Sequence, residues 1–464
     1  MTILRLTVLL LLFAGCHISV AQADSLTISQ AVQQALDKYP AVRASLEQVR
    51  SAAAGINLAR TNYLPRADFL GQTNRATRNN VLGLLLPQPV IPSISGPVLG
   101  TNSATSVWGS AVGALVSWEP FDFGLRGATV RAAESSRARA GVELNLTQFD
   151  VAAAAADAFL NLLAAQERVR AAQADVDRRQ VLAKAVHALV DQELRPGADA
   201  SRSDAELAAA RTFLFQAQEA ERVSRAALAQ VLGIAGSDLQ VQPGALLDLP
   251  PDQALPAPAF SSHPLAQVDR ARIEETQARL RALERSYFPR FNLQSALSGR
   301  GSGVRPDGAL ETGTNGLGPD RANWAIGMTV TFPLLDLPAL RARKQIEASN
   351  ERREMARYDQ SIQQLTGQWE KARAAWESAR QVAENTPIQL RAARTTETQA
   401  RARYQAGLAN IVEVADAQRL LVQAEIDDAL ARLGVWRGLF FMAAAKGDLE
   451  PFLQNVRGKT SGGK

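Results

Sequence analysis

Two stretches decide the fold. Tyr39-Pro40 opens a helical pattern that closes on Asn62-Tyr63-Leu64-Pro65-Arg66, and His263-Pro264 opens another that closes on Ser286-Tyr287-Phe288-Pro289-Arg290. The prolines recur at one offset (264 − 40 and 289 − 65 are both 224), so one unit is used twice. Each copy continues through a short alternating stretch, a loop rich in Gly, Asn and Pro, a second alternating stretch and a very long helical stretch. The repeats run over 24–245 and 246–450, after a signal peptide at 1–23 and before a flexible tail at 451–464. Strand pairs at about 66–120 and 290–333 precede helical hairpins at about 125–233 and 340–446. A duplicated module of short strands and rod-length helices describes a wall, not a soluble enzyme.

Composition supports this. The chain is 46% hydrophobic but only 6% aromatic, so Ala, Leu and Val carry the apolar fraction, which suits close helix–helix approach. The net charge of +5 is spread along helices beside Glu and Asp, as in Glu351-Arg352-Arg353-Glu354, which reads as solvated faces and argues against nucleic acid as a partner.

At the N-terminus, Arg5 precedes the apolar run Leu6–Ala14, and Ala21-Gln22-Ala23 has the form of a cleavage site that discards Cys16. Ala14-Gly15-Cys16 offers a rival reading, lipidation of Cys16, with Phe13 where Leu is usual. No other segment approaches the ~20 apolar residues of a spanning helix, so strands must make any membrane passage.

Thr27-Ile28-Ser29-Gln30 reads as a capping box opening a helix with Ala31, Ala35 and Leu36 on its apolar face. A second helix runs from about Ala41 to Tyr63. From Ala67 to about Arg75 the period changes, and Arg78–Thr105 reads as loop. In Ser106–Trp118, Trp108, Val112, Ala114, Val116 and Trp118 face one way, against Val107, Gly109, Gly113 and Ser117. The two tryptophans lie roughly 33 Å apart in extended chain, as aromatic residues at two membrane interfaces should. The second copy repeats this with Phe291, Leu293, Ser295 and Leu297, a loop Ser298–Arg321, and then Trp324, Ile326, Met328, Val330 and Phe332 on one face. Pro120 and Pro333 close the second strands. Four strands cannot close a barrel, and an open edge in lipid leaves backbone groups unpaired at several kcal/mol each, so copies of the chain must share one sheet.

Leu125–Leu194 would span about 105 Å as one helix, and Leu340–Tyr404 is comparable apart from Pro387. Turns at Arg195-Pro196-Gly197 and Ala406-Gly407-Leu408 start return helices of about Ser201–Gly233 and Ile411–Lys446.

With these features in place, the chain resembles the TolC family of outer-membrane efflux proteins. The resemblance rests on the duplicated Pro-ended helix, on Trp118-Glu119-Pro120-Phe121-Asp122-Phe123-Gly124, and on Tyr404-Gln405-Ala406-Gly407-Leu408-Ala409-Asn410-Ile411-Val412-Glu413-Val414-Ala415-Asp416-Ala417. It implies a mainly α fold with a small β part. Long antiparallel helical hairpins would form a trimeric α-barrel, and each protomer would give four strands to a shared transmembrane β-barrel. It further implies outer-membrane lipid around the strands, a periplasmic adaptor, and an inner-membrane pump or type I secretion exporter as partners. Tyr404 matches the family's gate tyrosine, and Glu413 and Asp416 match the acidic pair ringing the periplasmic entrance. Their i, i+3 spacing puts both carboxylates on one helix face. The usual gate arginine falls at Ala409, so that link is missing. Gly197, Ala198, Gly407 and Leu408 match the tips that meet the adaptor, where glycine permits a left-handed backbone.

Catalysis has little to work with: His17, His187 and His263 share no metal-ligand spacing, and no P-loop or nucleophile–base arrangement appears, so neither cofactor nor metal is expected. His187 reads as a surface helix residue. Two rivals remain: a porin or adhesin, which requires many more strands and no rod-length helices, and a soluble or surface coiled-coil scaffold, which leaves the strand pairs unexplained.

Overall fold

A computed structural model describes residues 25–79, 100, 102–250 and 258–458, except 306, 312 and 333. The expected signal peptide, Cys16, most of the expected loop over Arg78–Thr105 and Pro333 lie outside the described residues. Eight α-helices and four strands are described: α1 Ile28–Lys38, α2 Pro40–Thr61, β1 Arg66–Thr77, β2 Ser106–Phe121, α3 Leu125–Asp191, α4 Gly197–Val231, α5 Pro264–Arg285, β3 Arg290–Ser302, β4 Arg321–Thr331, α6 Leu337–Gln405, α7 Ile411–Lys446 and α8 Glu450–Gly458.

Contacts divide the chain into two compact units that cut across the repeats. One comprises the described parts of Met1–Ser45, Leu144–Ala266 and Gln360–Lys464; the other comprises those of Leu46–Glu143 and Gln267–Asp359. Each of α2, α3, α5 and α6 contributes residues to both, so the repeat boundary expected near 245 is no boundary of packing.

In the first unit, the capping box forms as its residues dictate. Thr27 Oγ1 accepts from the Gln30 amide at 3.3 Å, and Gln30 Oε1 accepts from the Thr27 amide at 2.8 Å. Behind it Ile28, Ala31, Val32 and Ala35 are buried against Phe159, Leu162 and Leu163 of α3 and Trp436 and Phe440 of α7. Burying each of the larger side chains is worth about 1.5–3 kcal/mol. One correction to the sequence reading lies in α3, where an 18-residue window is apolar enough by composition to cross a membrane. Half of that window is buried, and the apolar run Val151–Leu163 feeds this core.

A second correction concerns the tail. Residues 450–458 are not flexible but form α8, with Phe452, Leu453 and Val456 buried in the same core and Phe452 edge-on to Trp436 at 6.3 Å. A short amphipathic helix is easily missed when its apolar partners come from another part of the chain. Pro387 does not interrupt α6 either. Thr386 Oγ1 donates to Asp428 Oδ1 of α7 at 3.3 Å and Gln389 Nε2 to Asp427 Oδ2 at 3.3 Å, so packing against α7 offsets the lost backbone bond.

The His263-Pro264 motif has a packing reason. His263 is buried, its Nδ1 accepts from the Leu265 amide at 3.1 Å, and its Nε2 lies 3.3 Å from the Ala444 carbonyl. These partners call for a neutral ring with the proton on Nε2, and burial holds its pKa below the ordinary histidine value despite the Ala444 bond. Gly447, at φ +83°, caps α7 beside it, and a Cβ there would lie 2.7 Å from His263 Cδ2 and Pro264 Cδ.

The second unit holds one antiparallel sheet in the order β1-β2-β3-β4, so β1 and β4 each have one free edge. Pro120 does not end β2: pairing with β1 stops at Ser117, but β3 pairs on with Phe121 through Phe291 after a register shift at Trp118. Proline interrupts the ladder because it lacks an N–H, yet it can sit in a bulge. β3 also runs on to Ser302, past the expected loop start at Ser298.

At the foot of the sheet, Asp122 accounts for the Trp118–Gly124 motif. Its carboxylate accepts from the Gly124 amide at 3.1 Å, the Arg126 amide at 2.6 Å and Arg126 Nε at 3.0 Å, which caps α3. Burial pushes its pKa up, but these donors together hold it below the ordinary value. The aromatics of the two Pro-ended motifs pack here: Tyr63 under Arg126 at 4.8 Å and Phe288 stacked on Phe123 at 5.4 Å.

Replacing Gly447 with alanine adds left-handed strain to the contact with His263 and Pro264. The expected loss is about 2 kcal/mol or more, read as a lower midpoint of thermal unfolding by circular dichroism.

Candidate functional site

Two regions carry the residues singled out from sequence. The first is a face of the sheet. Pairing sets Trp118 opposite Leu293 and Leu293 opposite Met328, Val116 opposite Ser295 and Ser295 opposite Ile326, and Ala114 opposite Leu297 and Leu297 opposite Trp324. Directly paired residues share a face. Trp118, Val116, Trp324, Ile326, Met328, Val330 and Phe332 are exposed, Trp324 by 78%, and Phe69 of β1 joins them. Trp108 and Val112 lie on the same face but are half-buried, with Arg75 5.4 Å over the Trp108 ring. Ala111 and Gly113 on the opposite face are buried and small.

The second region is the pair of turns that end α3 and α6. Gly197 is the first residue of α4, exposed like Ala198, and its φ is not left-handed. The left-handed residue of that turn is Glu193, at φ +59°, which corrects the conformational role expected for Gly197. Gly407 does take it, at φ +81°, so that the Leu408 amide reaches the Arg403 carbonyl at 2.8 Å. Leu408 is 72% exposed and Leu194 is exposed beside the first turn.

Tyr404 is only 1% exposed and lies in a cluster with Val186, Ala409, Ile411 and Val414. Its hydroxyl donates to Asp199 Oδ2 of α4 at 3.0 Å, which ties the second hairpin to the first. The Arg195 guanidinium lies 4.4 Å over the ring and donates to the Tyr404 carbonyl. Burial first, then the Asp199 hydrogen bond and charge, push the Tyr404 pKa up to about 12, against a smaller opposing effect of Arg195. Asp199 and Arg195 escape sequence reading because each is one charged residue in a charged turn; a carboxylate in the first turn of α4 was the available signal.

Glu413 and Asp416 do share a face of α7, but neither touches Tyr404. Asn410 caps the helix by accepting from the Glu413 amide at 3.0 Å. The Glu413 carboxylate is 3.8 Å from Arg403 and that of Asp416 is 3.5 Å from Arg419. Ala409 is buried among apolar side chains. His187, on α3, pairs with Asp204 of α4 at 2.9 Å, and that hydrogen bond and charge raise its pKa.

A family model described as outer membrane efflux protein matches residues 31–234 and 255–435. Protein CyaE of Bordetella pertussis is 24% identical over 215 residues, which cover 46% of this chain and 40% of CyaE; the match thus spans under half of that relative's length. The outer-membrane channel OprN superposes with a TM-score of 0.69 at 20% identity, over 90% of this chain and 89% of its own. The CmeC outer membrane channel of Campylobacter jejuni gives 0.71 at 14% identity, over 94% and 89%. The open state of the MtrE outer membrane channel of Neisseria gonorrhoeae gives 0.70 at 19%, over 91% and 89%. At such identities the likeness is one of fold.

Tyr404 should ionise only at a pH of about 12. The sign follows from its raised pKa: the stability it contributes is whole below pH 10 and is lost as pH climbs through 12. Ultraviolet titration checks this, and Asp199→Asn should bring the late transition down toward the ordinary tyrosine value.

Proposed function

The chain belongs to the outer membrane efflux protein family, and from that premise we propose that it is the passive exit duct of a tripartite efflux pump or type I secretion system. It conducts solutes from a periplasmic adaptor and an inner-membrane transporter to the exterior, working as a homotrimer. The observation that carries the reading is the sheet: four strands, two free edges, and one exposed apolar face running across β1 to β4. In hydrocarbon such edges must be paired, and three copies of a four-strand sheet close one barrel. Trp108 and Trp118 then act at the headgroup levels, and Val112, Val116, Trp324, Ile326, Met328, Val330 and Phe332 meet acyl chains.

Tyr404, Glu413 and Asp416 belong to the periplasmic gate in this reading. The Tyr404–Asp199 bond holds the turn of the second hairpin on the first, and the two acids line the entrance. Gly197, Ala198, Gly407 and Leu408 form the tips that receive the adaptor. Exposed Leu194 and Leu408 supply apolar contact there, and Gly407 permits close approach of a partner helix.

In planar bilayers, Glu413→Ala with Asp416→Ala should weaken divalent-cation block by roughly tenfold, the low end of electrostatic focusing in clefts. Unchanged conductance and block would remove both residues from the entrance. Cross-linking in cells should give a trimer in the outer-membrane fraction; recovery of a monomer there would overturn the shared barrel.

A further inference from the structure

The acids of the entrance are not alone. Glu413 faces Arg403 at 3.8 Å and Asp416 faces Arg419 at 3.5 Å. Both arginines are held in place by other elements. Arg403 also donates to the Leu408 carbonyl at 3.4 Å, across the turn that Gly407 makes. Arg419 reaches Glu206 Oε1 of α4 at 3.3 Å, while Glu206 Oε2 is bound by Arg179 of α3 at 2.8 Å. Arg179 is buried and bonded to buried Asp175 at 2.8 Å, so this end of the chain of charges is fixed. The cations at positions 403 and 419 are therefore built features of the entrance, one for each carboxylate.

All four side chains of the two pairs are exposed. Exposed pairs of this kind add little to stability, on the order of 0–1 kcal/mol. Their effect lies in the field: in a confined aqueous passage, fixed charges of one sign select against their own kind, and compensated charges do not.

We propose that Arg403 and Arg419 are specificity-determining residues of the entrance. They compensate Glu413 and Asp416 in place, so that the duct admits anionic and zwitterionic solutes as well as cations. This rests on the reading of Glu413 and Asp416 as entrance acids.

The test uses the trimer reconstituted in planar bilayers across a KCl gradient, with the reversal potential giving the K+ to Cl− permeability ratio. The wild-type channel should discriminate weakly. Arg403→Gln with Arg419→Gln should raise the ratio roughly tenfold, Arg403→Lys with Arg419→Lys should hold it near wild type, and Glu413→Gln with Asp416→Gln should shift it toward Cl−. Circular dichroism and cross-linking of each variant establish that the trimer is intact. If the carboxylate variants shift the ratio and the glutamine variants of the arginines do not, the proposal fails and the entrance reading stands. If neither set shifts it, the entrance reading fails and takes the proposal with it.

Discussion

Backbone amides and carbonyls that face hydrocarbon must find partners, and this requirement governs the whole architecture. Among the described residues β1 and β4 leave one edge each without a partner, and the residues paired across the sheet present a single apolar face. A soluble sheet would blunt such edges with charge or cover them. Here β4 leaves Trp324, Ile326, Met328 and Val330 exposed. Such edges and such a face suit a sheet that is paired further within a membrane.

The helices answer the opposite problem, which is to build a long wall with few aromatic residues. Small side chains at the seams allow close approach, and the few large ones gather where α1, α3, α7 and α8 meet, around Phe159 and Trp436. Charged residues then tie the hairpins together along their length, as in the bidentate Arg178–Glu425 pair and the Arg437–Asp157 pair. At the turns the tie becomes a tyrosine hydroxyl on a carboxylate, with an arginine above the ring.

Electrostatics at the turns differ from what the resemblance implies. An acidic pair with no nearby cation describes a cation-selective ring; an acidic pair facing Arg403 and Arg419 describes a mixed surface.

Periodicity and proline placement by themselves determined the repeat, the four strands, the two hairpins and which strand residues share a face, because each is a local pattern of period 2 or 3.6 broken at defined prolines. Ile411–Lys446 was legible to the residue, since Asn410 caps its start and Gly447 its end. Tertiary structure alone decided what depends on residues distant in sequence. It packs α8 on α7, carries α6 through Pro387, continues β2 past Pro120 and assigns the left-handed turn to Glu193. It also joins Tyr404 to Asp199 and Arg195, and Arg419 to Glu206, partners more than two hundred positions apart. No pattern along the chain encodes such pairs, because a hydrogen bond or ion pair is a fact of distance in space, and only packing of the hairpins sets that distance.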